Sequence, residues 1–256
     1  MIIETHIHLN HQQYDDVEDV IARAGEAGVT HLIDIGCEPH TLEKSIAISE
    51  QYDNIKSAIG LHPVDATQRS DELIARIEEL AATSPQVIAI GEIGLDYHWY
   101  PEQKEIQHQL FHEQMKIAQK LELPVIIHSR DAYEDCYQVL KQYPQVTGVI
   151  HSFSDDYQMA KKFIDLGYYI GIGGPVTFKN GTAQRDVVKN IDFNYLVIET
   201  DGPYLTPTPF RGKRNEPAYL TYILEEIALV RDEQIEKVGE AVYNNSLRIF
   251  KGLINE

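Results

Sequence analysis

The chain reads as an α/β protein, a (β/α)8 TIM barrel forming a single domain over residues 1–256, and three observations predict it. Short apolar runs rich in Val and Ile alternate with longer amphipathic stretches, as parallel strands buried on both faces alternate with the helices that join them. Eight such runs fit within 256 residues, the ordinary size of this barrel. The first run leads straight into His6-Ile7-His8, where an open doubly wound sheet usually carries a glycine-rich nucleotide fingerprint.

Taken in order, the apolar runs predict strands over 2–7, 30–35, 56–59, 87–91, 124–128, 146–151, 168–172 and 195–198. Between them, Ile106, Leu110, Ala118 and Leu121 share one face of a helix over 104–121, and Met159, Phe163 and Leu166 mark a shorter helix after the sixth strand. Asp131 and Asp155 read as helix-start residues. Nothing in the composition marks a linker, a tandem repeat or a second domain.

Hydrophobic residues make up 43% of the chain, enough to bury a core, and no run of eighteen apolar residues occurs, so disordered and membrane-spanning classes are excluded. The opening Met1 to His8 reaches Glu4 before any apolar stretch, and the only cysteines are Cys37 and Cys136. The expectation is therefore no signal peptide, no disulfide framework and a reducing cytoplasm. Cys37 reads as packing. The net charge of −18 argues against a nonspecific duplex coat protein, yet bound cations would neutralise carboxylates locally.

Side chains alternate along a strand, so His6 and His8 project together while Ile7 faces away, and two imidazoles so spaced can grip one cation. Alone, such a pair is often merely solvated. Four further runs, however, also end in metal-binding groups: Glu92, His128, His151, and Glu199 with Asp201. In a barrel all of these converge on one mouth. Two cations sharing a carboxylate fit this set better than one, with His6, His8, Glu92 and Asp201 on the first and Glu92, His128 and His151 on the second. Mixed imidazole and carboxylate donors suit zinc, manganese or magnesium.

The residues that carry these groups resemble the TatD family of metal-dependent hydrolases among the amidohydrolase-like barrels. The likeness rests on Thr5-His6-Ile7-His8-Leu9, Gly60-Leu61-His62-Pro63, Gly91-Glu92-Ile93-Gly94-Leu95-Asp96-Tyr97 and His128-Ser129-Arg130-Asp131-Ala132. It continues through His151-Ser152-Phe153-Ser154, Glu199-Thr200-Asp201-Gly202-Pro203-Tyr204-Leu205 and Arg211-Gly212-Lys213-Arg214-Asn215-Glu216-Pro217. The resemblance implies a dinuclear site on the same six residues and hydrolysis of nucleic-acid phosphodiesters, often as a 3′ to 5′ exonuclease; DNA is the expected substrate, with RNA the alternative. One departure is Glu4, where the family usually has Asp. It lies one layer below His6, and its greater length leaves open any hydrogen bond assigned to that position.

On this reading Asp201 accepts a proton from the attacking water, while Glu92 bridges and His62 or Asp96 serves the leaving group. A loop imidazole bonded to backbone is the alternative for His62. Arg130 could clamp a phosphate or pair with Asp131. Arg211, Lys213, Arg214 and Asn215 form a candidate basic lip, and Gly171 to Gly174 either present backbone N–H groups to a phosphate or make a tight turn. Tyr97, Trp99, Tyr100, Tyr204 and Phe210 offer faces for bases or simply pack. His108 and His112 read as a solvated helix face.

Two competing readings remain open. One is ester or amide hydrolysis on the same site, such as deacylation of aminoacyl-tRNA; the other is a closed, non-catalytic metal-holding scaffold. The expected partner is nucleic acid, with no membrane and no obligate protein partner.

Overall fold

A computed structural model describes residues 1–254. Eight strands run β1 Ile2–Ile7, β2 Val29–Gly36, β3 Ile55–Ile59, β4 Val87–Asp96, β5 Val125–Arg130, β6 Gly148–Ile150, β7 Tyr169–Ile172 and β8 Leu196–Ile198. They pair in that order, every ladder parallel. Between and after them lie α1 Val17–Glu26, α2 Leu42–Gln51, α3 Asp71–Thr83, α4 Lys104–Leu121, α5 Tyr133–Leu140, α6 Tyr157–Asp165, α7 Thr182–Asn190, α8 Leu220–Arg231 and α9 Ile235–Ile249. The fold is the predicted (β/α)8 TIM barrel.

The sheet closes between its last and first strands, and the closing bonds come from the residues around the mouth. The Asp201 N–H donates to His6 O (3.0 Å), the His8 N–H to Gly202 O (2.9 Å), and the Thr5 hydroxyl to Ile198 O (3.0 Å). Barrel closure and site assembly are therefore one event.

Alternation divides the apolar side chains between two clusters. One packs strands against the surrounding helices. The other fills the barrel interior with Ile3, Ile33, Ile35, Ala58, Ile88, Ala89, Ile126, Val149 and Val197, and is capped by Ile249, Phe250 and Leu253 from the end of α9 and the residues after it. Those chain-end residues form the floor, opposite the mouth.

Differences from the sequence expectation have local causes. Strand β4 runs five residues beyond the predicted 87–91, so Glu92 lies within the strand; the stretch Gly91–Asp96 reads as loop by composition but is buried throughout. Strand β6 is only three residues long. Asp131 is not a helix start: it takes a positive φ of 55°, and Ala132 precedes α5. The cap of α6 is Asp156, one residue past Asp155, its carboxylate accepting from the Met159 N–H (2.9 Å).

Candidate metal centre

Six predicted ligands meet at the mouth. His6 Nε2 lies 3.3 Å from His8 Nε2, 3.4 Å from Glu92 Oε2 and 3.8 Å from Asp201 Oδ1, while His8 Nε2 is 3.6 Å from that Asp201 oxygen and 3.9 Å from Glu92 Oε2. Ligands about 2.0–2.2 Å from a tetrahedral cation stand at separations of this size, so the donor set fits a metal. The other Glu92 oxygen faces a second set: Oε1 is 2.7 Å from His128 Nδ1 and 3.3 Å from His151 Nε2. One triad of these side chains, His6 with His8 and Glu92, brings one donor atom each within 4.8 Å of one another. Zinc, manganese and magnesium all accept such mixed donors.

Two of the imidazoles are aimed by their other nitrogen. His8 Nδ1 is 3.3 Å from Ile35 O, and His128 Nε2 is 3.0 Å from Asp96 Oδ2, leaving His8 Nε2 and His128 Nδ1 for the centre. Glu199 was visible in the sequence only as a strand-end acid. It is fully buried, its Oε1 accepts from the Ser152 N–H, and it lies 2.9 Å from His151 Nδ1. His6 stacks on His151 with centroids 3.6 Å apart, and His6, His151 and Glu199 form a second buried triad. His6 Nδ1 and Glu199 Oε2 have no hydrogen-bond partner among the described residues. Glu199 thus sits behind both rings. A Cβ on Gly171 would stand 2.6 Å from Glu199 Oε2, so that glycine is the space the carboxylate occupies.

Glu4 is buried directly beneath. Its Oε1 accepts from the His6 N–H (3.1 Å) and the Thr200 N–H (2.9 Å), and its Oε2 is 2.7 Å from the Thr200 hydroxyl. The bonds left open by the length of this side chain are therefore made. Burial pushes Glu4 up to about 8, against the pull of those bonds.

Charge is tightly coupled here. Burial alone would raise Glu92, yet His151, His62 and His6 around it hold it well below the usual carboxylate range. Burial opposes protonation of His8, but Asp201 and Cys37 raise it well above its ordinary value. His151 rises likewise beside Glu199 and Glu92. His6 is depressed by burial and by His151. Without cations, protons on His8 and His151 balance the acids, so metal binding must displace them.

His62 also joins this group, Nε2 3.5 Å from Glu92 Oε1. Its Nδ1 accepts from the Val64 N–H (3.2 Å), and burial, with His128 nearby, keeps the ring below its ordinary value. A neutral ring whose Nδ1 accepts must carry its proton on Nε2. His62 is therefore a donor aimed at the centre. Asp96 is spent otherwise: besides His128 it accepts from the His98 and Trp99 N–H groups (3.0 Å each).

The ligands open into a cavity of about 1120 Å³ whose lining includes Arg130, Lys44, Trp99, Tyr100 and Tyr204. Several predicted substrate residues do not line it. Arg214 pairs with Asp16 (2.6 Å) and lies over Tyr14. Arg211 donates to Thr206 O (3.2 Å) with its guanidinium over Phe178, and Lys213 sits over Phe210. Asn215 is fully buried, donating to Thr200 O and Tyr204 O. Tyr97 shares its hydroxyl with His108 and Asp135 (2.7 Å each). His108 is thereby a bonded, half-buried group, as is His112 against Tyr143 (2.9 Å). Phe210 stacks on Tyr219, and Gly174 is required by the Leu205 carbonyl that a Cβ would strike, so both are packing features.

A closed barrel with imidazole and carboxylate donors gathered at the carboxyl ends of its strands defines a metal-binding (β/α)8 protein. Within that class the chain belongs to the TatD related DNase family, whose model matches residues 3–251. It is 43% identical over 98% of its length to YabD of Bacillus subtilis, a protein described as an uncharacterised metal-dependent hydrolase, and covers 99% of that relative. It is 35% identical to the 3′-5′ ssDNA/RNA exonuclease TatD of Salmonella typhimurium, over 92% of this chain and 93% of that one. The crystal structure of the TatD homologue YjjV from Escherichia coli superposes with a TM-score of 0.93 at 32% identity, covering 97% of each chain.

Proposed function

We propose that the protein is a hydrolase of nucleic-acid phosphodiesters, acting on DNA, and on RNA as a second substrate, from the 3′ end of a strand with two divalent cations. The observation that carries this reading is Glu92, one buried carboxylate whose two oxygens face two separate donor sets beneath an open cavity. Likeness to the Salmonella exonuclease supports the nucleic-acid substrate and the 3′ end. The two buried free cysteines suit a reducing cytoplasm.

Paired cations, when bound, lower the pKa of water, neutralise nonbridging phosphate oxygens and stabilise the leaving alkoxide. The chain's own groups position and move protons. Asp201 reaches the first donor set through Oδ1 and takes the proton of the attacking water. His62, its proton fixed on Nε2 by the Val64 N–H, donates to the leaving oxygen. Arg130 has no carboxylate partner within 4 Å among the described residues and holds a nonbridging oxygen.

Single-stranded oligonucleotide digestion and aminoacyl-tRNA deacylation, each with magnesium, manganese and zinc supplied separately, test the reading. Nucleotides should leave stepwise from the 3′ end. Asp201→Asn should lower kcat by about 10²–10⁴-fold with metal retained, the range for loss of one proton-transfer group. Deacylation with oligonucleotides untouched, or full turnover by Asp201→Asn, would refute it.

A further inference from the structure

Three features of the cavity bear on how much substrate it grips. First, among the described residues every exposed Trp, Tyr or Phe side chain, namely Trp99, Tyr100 and Tyr204, lines it; all other Trp, Tyr and Phe side chains are at least partly buried. Exposed aromatics gathered at one mouth, and absent elsewhere, point to flat ligands rather than chance. Trp99 is 60% exposed, with the Arg130 guanidinium 5.4 Å from its ring centroid, and Tyr204 is 48% exposed beside His8 and His11.

Second, among the described residues the cavity's only Lys or Arg side chains are Lys44 and Arg130. Neither pairs with a carboxylate among the described residues, and the Lys44 ammonium is held at the Asn10 carbonyl. Glu38 and Asp65 line the same mouth. The loop that looked like a basic lip lies outside the cavity lining: Arg214 is neutralised by Asp16, while Arg211 and Lys213 rest over Phe178 and Phe210. Among the described residues the lining therefore supplies two cations and no more, and the chain as a whole carries −18. A long polyanion is repelled at distance by a chain of that net charge.

Third, about 1120 Å³ lies just above the roughly 300–1,000 Å³ of small-molecule pockets, whereas a general single-strand groove tracks roughly 4–16 nucleotides with continuous positive charge.

Resting on the nucleic-acid reading above, we propose that the whole substrate footprint lies inside this cavity. The preferred substrate is then a very short single strand of about two or three nucleotides. Its bases stack on Trp99 and Tyr204, its phosphates meet Arg130 and Lys44, and any chain beyond makes no favourable contact.

The test is a series of single-stranded oligothymidylates, from a dinucleotide to a twenty-mer, assayed for kcat/KM over a range of salt with the manganese-loaded enzyme. Efficiency should reach its maximum by the trinucleotide and stay level or fall beyond it. The slope of log kcat/KM against log salt should be about −1 to −2, as expected for two phosphate contacts. Trp99→Ala should raise KM for the trinucleotide about tenfold with kcat retained, and Trp99→Phe should recover most of that loss. Efficiency that climbs through the ten-mer with a slope steeper than about −4 overturns this inference and leaves the nuclease reading standing. Failure to cleave any length, with methyl p-nitrophenyl phosphate still hydrolysed, overturns the nuclease reading and this inference with it.

Discussion

The two ends of the barrel are built from the same strands and obey opposite rules. At the floor, Ile3, Ile33, Ile88 and Val197 meet Ile249, Phe250 and Leu253 in an apolar plug. At the mouth the same strands, and the turns that follow them, bury Glu4, His6, Glu92, His151 and Glu199. Positive φ values at Asp131 (55°), Ser152 (46°), Asp201 (58°) and Leu205 (54°) crowd the turns around them. Buried charge and left-handed backbone each cost stability, and apolar burial at the floor offsets that cost. One end holds the fold together so that the other can gather groups that repel and desolvate one another.

Substitutions at the two ends should therefore separate stability from chemistry. The largest effect belongs to the floor. Phe250 is 1% exposed, and Phe250→Ala should lower unfolding free energy by about 3–5 kcal/mol in urea titration while kcat per folded molecule stays at the wild-type value. A drop in kcat at unchanged stability would show that the two ends are not separable.

Next comes the carboxylate behind His6 and His151. Glu199→Gln should weaken cation binding about 10–100-fold by calorimetry, with secondary structure intact by circular dichroism. Wild-type affinity would remove Glu199 from the support of the centre.

The smallest effect lies one layer down. Glu4→Ala strands the buried His6 and Thr200 N–H groups and should cost about 1–3 kcal/mol, whereas Glu4→Gln keeps an acceptor and should cost less. In the metal-free protein, burial keeps the Glu4 proton on up to about 8, while an unfolded carboxyl releases it near 4.5. Its contribution is thus complete below about 4.5 and is lost as pH rises through that window. Denaturation midpoints at both ends of the window should show wild type losing more stability than Glu4→Gln; equal losses would contradict the raised value.

The same contrast explains what the sequence disclosed. Strands could be read because β4, β5 and β8 open on unbroken apolar runs (87–90, 125–127 and 196–198), and the ligands because His6, His8, His128 and His151 interrupt or end such runs in the alternation a barrel requires. The far half of β4 was not legible, since Gly91-Glu92-Ile93-Gly94 has the composition of a turn. Nor was the basic loop: Arg214 is answered by Asp16 from the other end of the chain, and no local pattern encodes that meeting. Glu199 and Glu4 show a middle case. Glu199 could be placed at a strand end and Glu4 one layer below His6, but their service to His151 and His6 depends on which neighbours the closed sheet presents.

The most direct test of the account is a crystal soaked in manganese and measured for anomalous scattering. Two peaks about 3.5–4 Å apart are predicted, with Glu92 between them, His6, His8 and Asp201 on one and His128 and His151 on the other. A single peak, or two peaks that do not share Glu92, would contradict it.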